Sequence, residues 1–381
     1  MIQLYRKYVM KEIDRKQSVC TDEPVFSIVM PVYQAEQFLS ARIENLLSQT
    51  FEDFELILVN DGSTDAGAVF CDSYADKDVR VRVVHQKNQG VSAAKNAGLA
   101  QARGRYIWFA DCDDTSSPAF LEKVYPELEN GADAVSVNRT VIDTDGTRTE
   151  YTRKYEVLTA ENDEERLQMV KDVAFRKEIA WENWALVFRR SLITENHIRF
   201  PEKEISFGED MYFTFCCLLH IRKLVLLPDD LYTYRRWEGS LSDQYGRNVS
   251  LTVMNRNAEL LYQYCEKAGN AEILLKNFPL LWYAFTEREF FKGAVMLEKD
   301  SRAPVRQIYT EQLRHPFAQR MLGEVMARRK ELRTLADPWL FDCNMNLLAY
   351  LSGRSYPTYF IHHIRNRAKR KYRYLTGKYR G

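Results

Sequence analysis

The chain has 381 residues, too long for one ordinary domain and short for three, so two main units are expected. Apolar residues make up 45% and charged residues 28%, the balance of a soluble globular protein able to bury a large core. A formal net charge of +1 provides no global field for nucleic acid, and seven cysteines without a CxxC pair exclude a zinc site or a secreted disulfide frame and fit a reducing cytoplasm.

Residues 1–24 form an N-terminal extension. From Met1 to Cys20 its charges are scattered and it lacks the apolar centre of a signal peptide. From Phe26 two patterns alternate. Phe26 to Met30 is a short apolar run ending at Pro31, read as a buried strand, and Leu39, Ile43, Leu46 and Leu47 follow at helical spacing. Phe54 to Val59 is the next strand, closed by the turn residues Asn60, Asp61 and Gly62. A helix-compatible stretch runs from about Asp65 to Asp76, Val81 to Val84 is a third strand, and Ala93, Ala94, Ala97, Leu99 and Ala100 mark a small-residue helix. Tyr106 to Ala110 is a fourth strand that runs straight into Asp111, Cys112, Asp113 and Asp114.

This alternation predicts an α/β fold with a mostly parallel sheet covered on both faces, and ligands in such sheets sit beyond the carboxyl ends of the strands. Tyr33–Gln34, Asn60 to Gly62 and Asp111 to Asp114 all fall at those ends. After Asp133 to Val137 the pattern loosens. Ile142 to Glu156 is polar and threonine-rich, read as a hairpin. Asp163 to Arg176 reads as a helix, and Met211 to Leu219 as a buried one. Lys223 to Tyr234 reads as two strands around a Pro-Asp-Asp turn, and beyond about Asn248 the pattern is helical. The expected organisation is 25–245 as one α/β unit, divided into 25–135 and 136–245, followed by a helical region over 246–381. No apolar run approaches the roughly 18 residues of a membrane span.

Several familiar chemistries are absent. There is no GxGxxG, HExxH or GxSxG, and Ala68 stands where a phosphate loop beginning at Gly62 would need its lysine. Asp111 and Asp113 are different. Mg²⁺ and Mn²⁺ take hard oxygen ligands, commonly one or two carboxylates plus substrate phosphates. Two acids two residues apart at a strand end can face one ligand. A solvated acidic turn is the bland alternative, and the position of this pair in the alternation argues against it.

Pro31-Val-Tyr33, Val59-Asn-Asp-Gly-Ser-Thr-Asp65, Asn88-Gln-Gly-Val-Ser-Ala-Ala-Lys-Asn96 and Phe109-Ala-Asp-Cys-Asp-Asp114 resemble, in order and spacing, the four signature blocks of family 2 glycosyltransferases with the GT-A fold. The resemblance covers about Phe26 to Asp133. It makes 25–135 the nucleotide-binding half and 136–245 the acceptor half. It implies that Pro31, Val32 and Tyr33 line the nucleotide pocket and that Asp61 accepts a hydrogen bond from the base, usually uracil. Gly90 and Lys95 would lie along the nucleotide. The family usually has arginine at position 95, and lysine lacks its planar fork. Asp111 would serve ribose and metal, Asp113 would ligate Mn²⁺ or Mg²⁺ directly, and Cys112 between them is expected to point inward.

Gly208-Glu209-Asp210 resembles the family's ED block, which implies that Asp210 deprotonates the acceptor hydroxyl, with Glu209 as its neighbour. An acid in a first helical turn also stabilises the helix dipole, which is the competing account of the same residue. Tyr234-Arg-Arg-Trp-Glu-Gly-Ser240 resembles a further block in which Arg235 approaches the diphosphate. Trp237 stands where relatives often have histidine, and it could stack on a sugar face. Trp184 and Phe188 lie in a segment that in relatives is near the acceptor. Their spacing suits one helical face, so core packing is the default reading for both.

The expectation is a metal-dependent, inverting transfer of a sugar from a nucleotide diphosphate, most simply a UDP-sugar, to a carbohydrate or lipid-linked acceptor of surface-polysaccharide assembly. A non-catalytic nucleotide-sugar-binding scaffold and a nucleotidyltransferase are the alternatives. Against the latter, no glycine-rich basic loop follows the first strand. The last 39 residues, from Cys343, hold nine Lys or Arg and no acid, with tyrosines interleaved. This tail fits either a solvated basic helix or an anionic membrane surface, the latter implying a peripheral place at the inner face of the plasma membrane.

Overall fold

The computed structural model describes residues 23–176, 179–201, 208–238, 240, 251–268, 272–297 (side chains to 287), 311, 313–336, 341 and 344–345. Nearly all of the N-terminal extension and the basic tail lie outside these.

The first unit is built from β1 (Phe26–Val32), α1 (Glu36–Leu47), β2 (Phe54–Asn60), α2 (Gly67–Ala75), β3 (Val81–His85), α3 (Val91–Gln101) and β4 (Tyr106–Phe109). A short β5 (Thr115–Ser116), α4 (Phe120–Glu129), β6 (Ala134–Ile142), β7 (Arg148–Glu150), β8 (Glu156–Thr159) and α5 (Asp163–Phe175) follow. Then come β9 (Leu186–Arg189), α6 (Arg190–Glu195), α7 (Glu209–Leu218) and β10 (Lys223–Arg235). Helices α8 (Leu251–Ala268), α9 (Glu272–Leu297), α10 (Pro316–Ala327) and α11 (Arg329–Leu335) complete the described chain.

The main sheet runs β3-β2-β1-β4-β9-β6-β10-β5, with β7 on β6 and β8 on β10. β1 pairs in parallel with β2 and β4, and β2 with β3. β9 is antiparallel to both β4 and β6, so β4 and β6 point the same way, and β10 is parallel to β6. The carboxyl ends of β1, β2, β3, β4, β6 and β10 therefore share one rim. The segment leading into β9, residues 181–185, reaches that same rim because β9 runs backwards.

β1 and β2 are buried almost throughout, as continuous apolar runs in a sheet covered on both faces require. Two apolar clusters lie on opposite faces. One gathers α1, α4, Trp108 and Tyr232. The other joins Val29, Val59, α5 and α7 to α8, α9 and α10, so the C-terminal helices share a core with the sheet. α3 lies close on β1 and β2 because Gly98 has no side chain; a Cβ there would be 2.3 Å from Val29 Cγ1 and 3.1 Å from Val59 Cγ2.

Two expectations are corrected. The Lys223 to Tyr234 stretch is one strand, not a hairpin. Both halves pair in parallel with β6, and the register shifts between Leu226 and Tyr232 absorb Pro228, which has no N–H to donate. Phe188 lies on the strand β9 and Trp184 on a 3-10 turn before it, not on one helix. The expected mostly parallel sheet is present: β1, β2, β3, β4, β6 and β10 run the same way, and β9 is the antiparallel strand between β4 and β6. The expected hairpin is present as β6 and β7, turning at Gly146. No helix among the described residues is long and apolar enough to cross a membrane.

Gly98→Ala is expected to destabilise the protein by about 1–3 kcal/mol, because the added methyl overpacks the α3–sheet contact. Urea denaturation followed by far-UV circular dichroism measures it; an unchanged midpoint would refute the close approach.

Candidate active site

The loops after β1 and β2 are tied to each other. Gln34 has a positive φ of 50°. Its carboxamide oxygen accepts from the N–H of Thr64 at 2.9 Å and of Asp65 at 3.2 Å, and Glu36 N–H donates to Asp65 Oδ2 at 2.9 Å. Pro31 is half-buried and Val32 is wholly core, so Val32 contributes only backbone, accepting from Asp61 N–H at 2.9 Å. Tyr33 is 51% exposed and presents its ring at the rim.

Asp61 is buried. Its Oδ1 accepts from Gln89 N–H at 2.9 Å and from Gln86 Nε2 at 2.7 Å, and its Oδ2 accepts from Gly90 N–H at 2.8 Å. It thereby fixes the loop that enters α3. Gly90 has φ +90°, a conformation that suits glycine. A carboxylate offers about four acceptor positions, so roughly one is left for a base.

The acidic turn after β4 is held from three directions. Arg42 Nε donates to the Asp111 carbonyl at 2.9 Å while its Nη1 donates to Asn45 Oδ1 at 2.7 Å and Ser116 Oγ at 3.2 Å. Asp114 accepts from Tyr232 Oη at 2.8 Å and from Arg235 N–H at 2.9 Å. Asp113 Oδ2 accepts from the Trp237 indole N–H at 2.8 Å. Cys112 packs against the apolar cluster below, in line with the inward orientation expected of it, and burial followed by its acidic neighbours pushes its thiol well up. Burial also raises the Asp111 carboxyl, with Asp113 and Glu209 adding to the rise and Lys95 and Arg42 opposing it.

Asp111 and Asp113 fit a hard divalent cation. Their carboxylate oxygens are the hard donors that such a cation takes. No cluster of three or more His, Cys, Asp or Glu suited to a metal occurs among the described residues. Two carboxylates match a cation that draws its other ligands from phosphate oxygens.

Asp210 reaches this rim from α7. Gly208 precedes the helix with φ +83°, and a Cβ there would lie 2.6 Å from Asn257 Nδ2 of α8. Lys95, only 1% exposed, donates from Nζ to Asp210 Oδ1 at 2.6 Å and to Glu209 Oε1 at 3.1 Å. Burial favours loss of the Lys95 proton, but the Asp210, Glu209 and Asp111 charges outweigh it and hold the ammonium well above its ordinary range. Burial pushes the Asp210 carboxyl up to about 8; Glu209 and Asp111 add to the rise, and Lys95 opposes it. Burial likewise acts to raise Glu209, yet Lys95 and hydrogen bonding leave it below its ordinary value. Three carboxyl groups thus act on one ammonium, two of them by direct hydrogen bonds.

The structure brings Asp61, Gly90, Lys95, Asp111, Asp113, Glu209, Asp210 and Trp237 to one rim, and it revises several assignments. Lys95 is buried and pairs with both Glu209 and Asp210. Trp184 is core: it stacks on Tyr232 and Tyr234 at centroid distances of 4.6 and 5.4 Å, which leaves no face for an acceptor. Trp237 is partly buried and contacts Asp113 and Phe38. Arg235 is exposed and braces Asp114 through its backbone. Arg42, Asp114 and Tyr232 were not singled out from sequence. The available signal was a charged residue, Arg42, within the buried stripe of Leu39, Ile43 and Leu46.

A mostly parallel nucleotide-type sheet covered on both faces, with a helical C-terminal region, is the architecture of the GT-A class. The family model described as "Glycosyl transferase family 2" matches residues 27–193. The chain is 36% identical over 224 residues to the uncharacterized glycosyltransferase EpsJ of Bacillus subtilis, covering 58% of this chain and 63% of that protein. It is 30% identical over 246 residues to the putative glycosyltransferase EpsH of the same organism, covering 64% and 70%. Crystal structure of S. aureus TarS 1–349 in complex with UDP-GlcNAc superposes with a TM-score of 0.62 at 20% identity, covering 87% of this chain and 93% of that one. The chain belongs to glycosyl transferase family 2. Asp210 and Trp237 lie beyond residues 27–193 that the family model matches.

Lys95→Met leaves Glu209 and Asp210 without their cation and is expected to lower stability at neutral pH by about 3 kcal/mol, whereas Lys95→Arg retains most of it. Equilibrium urea unfolding of both variants separates the outcomes; equal losses would refute a charge-based role.

Proposed function

We propose that this chain is an inverting, cation-assisted glycosyltransferase that moves a sugar from a nucleoside diphosphate, UDP in the simplest case, to a hydroxyl of a carbohydrate or lipid-linked acceptor. The observation that carries this reading is the convergence of Asp111 and Asp113 from one side and Asp210 from the other. Support for the donor comes from the UDP-GlcNAc complex of the structural neighbour TarS. Support for surface-polymer assembly comes from a 43% match over 119 residues to the minor teichoic acid biosynthesis protein GgaB of Bacillus subtilis. The basic tail supports a peripheral place on an anionic membrane face.

In this reading Asp61 shapes the loop that receives the base, Tyr33 offers a ring beside it, and Asp111 and Asp113 take the diphosphate side. A divalent cation, Mn²⁺ or Mg²⁺, bound by those two carboxylates would neutralise charge on the departing diphosphate. Asp210 Oδ1 is engaged by Lys95, and in this reading its other oxygen, Oδ2, takes the proton of the acceptor hydroxyl. The hydroxyl proton passes to Oδ2 while its oxygen forms a bond to the anomeric carbon. The bond from that carbon to the diphosphate oxygen breaks, its electron pair leaving with the diphosphate, and the anomeric configuration inverts. A carboxyl held up near 8 is a stronger base than an ordinary aspartate.

Asp113→Ala is expected to abolish Mn²⁺-dependent UDP-sugar turnover, and Asp210→Asn to retain UDP binding while losing transfer. UDP release and calorimetry measure the two; turnover in the first, or full transfer in the second, would sink the corresponding assignment. The pH profile follows in sign. The base must be ionised and its pKa is raised, so kcat/KM rises with pH up to about 8 and levels above it. A profile already flat from pH 6 upward would contradict Asp210 as the base.

A further inference from the structure

Asp113 and Asp114 are each held by a residue at the end of β10 or just beyond it. Arg235 gives its backbone N–H to Asp114 Oδ1 at 2.9 Å, and Trp237, two residues on, gives its indole N–H to Asp113 Oδ2 at 2.8 Å. The indole is itself fixed. Its ring lies against Phe38 of α1, with centroids 5.1 Å apart and planes at 54°. Elements from opposite ends of the unit, α1 and β10, thus converge on one N–H.

We infer that Trp237 is a positioning residue for the cation-binding carboxylate of Asp113. The inference rests on the reading of Asp113 as a cation ligand. An indole nitrogen is a donor only, with no lone pair for a metal. It cannot join the coordination shell, so its effect is confined to the carboxylate. A hydrogen bond to a charged acceptor is stronger than a neutral one, and it removes the rotational freedom of the carboxylate. With Oδ2 bonded to the indole, Oδ1 is the oxygen that would hold a cation. The protein side of this site then offers oxygen donors alone, the preference of Mg²⁺ and Mn²⁺. Phe38 keeps the indole at the angle that this bond requires.

The test measures Mn²⁺ binding in the presence of UDP, by electron paramagnetic resonance of the free ion, alongside UDP binding in EDTA. Trp237→Phe keeps an aromatic ring without the donor. It is expected to weaken Mn²⁺ binding by about tenfold, the usual scale for losing a group that orients a metal ligand. UDP affinity in EDTA stays at the wild-type value. Trp237→His, which retains a ring N–H, recovers much of the loss. A Trp237→Phe protein that binds Mn²⁺ like wild type, while Asp113→Asn is impaired, overturns the inference and leaves the cation assignment standing. Normal Mn²⁺ binding by Asp113→Asn overturns both. If Trp237→Phe does not fold, Phe38→Ala carries the same test, because it frees the indole and leaves its N–H in place. Weaker Mn²⁺ binding at unchanged UDP affinity in EDTA then supports the inference, and unchanged Mn²⁺ binding overturns it.

Discussion

The ammonium of Lys95 sits in the interior with two carboxylates within 3.1 Å, and its position constrains both sides of the cleft. An unpaired charge at that depth is strongly unfavourable, so the fold must deliver partners to it. Lys95 rides on α3, whose place is set by the close approach at Gly98 and by the Asp61 bonds to the loop at Gly90. Its partners open α7, which starts from a left-handed Gly208 packed against α8. The nearby Phe200 ring lies 5.3 Å from the ammonium, and the Phe200 backbone is bonded on both sides by Asn96 of the same helix. One buried cation therefore sets the distance between the half that carries the acidic turn and the helix that carries Asp210.

That arrangement concentrates acid. Asp111, Asp113, Asp114, Glu209 and Asp210 gather where the described cations acting on them are mainly Lys95 and Arg42. Burial and mutual repulsion raise Asp111, Asp114 and Asp210, which is a local penalty tolerated by the rest of the core. Asp114 is spent on structure, clamped by Tyr232 and the backbone of Arg235. Arg42 reaches up from beneath, with Trp108 and Tyr232 rings 5.9 and 5.6 Å from its guanidinium carbon. The turn is consequently held at both ends, at the Asp111 carbonyl and at the Asp114 carboxylate.

Much of the first half was readable from the chain alone. Each strand from β1 to β4 is an apolar run closed by turn residues, and each is followed by a helix with its own apolar stripe. Those are local signals, and they located the acids at the strand ends. Reading became unreliable from β6 onward. β9 has four residues and gives no period of its own, and its direction is decided by which neighbours have free edges. Pro228 and the following acids look like a turn, yet the strand continues through them because β6 offers pairing on both sides of the irregularity.

The sequence by itself determined the class of fold, the order of its elements and the identity of the acids at the rim. These follow from periodicity and turn chemistry, which act within a few residues. Only the tertiary structure decided which groups meet. Lys95 and Asp210 are 115 residues apart, Trp237 and Asp113 are 124 apart, and Arg42 lies 69 before the carbonyl it holds. Nothing in local spacing encodes those distances. They depend on sheet order, on helix packing and on the requirement that each buried charge find a partner, and those conditions are satisfied only when the whole chain is folded.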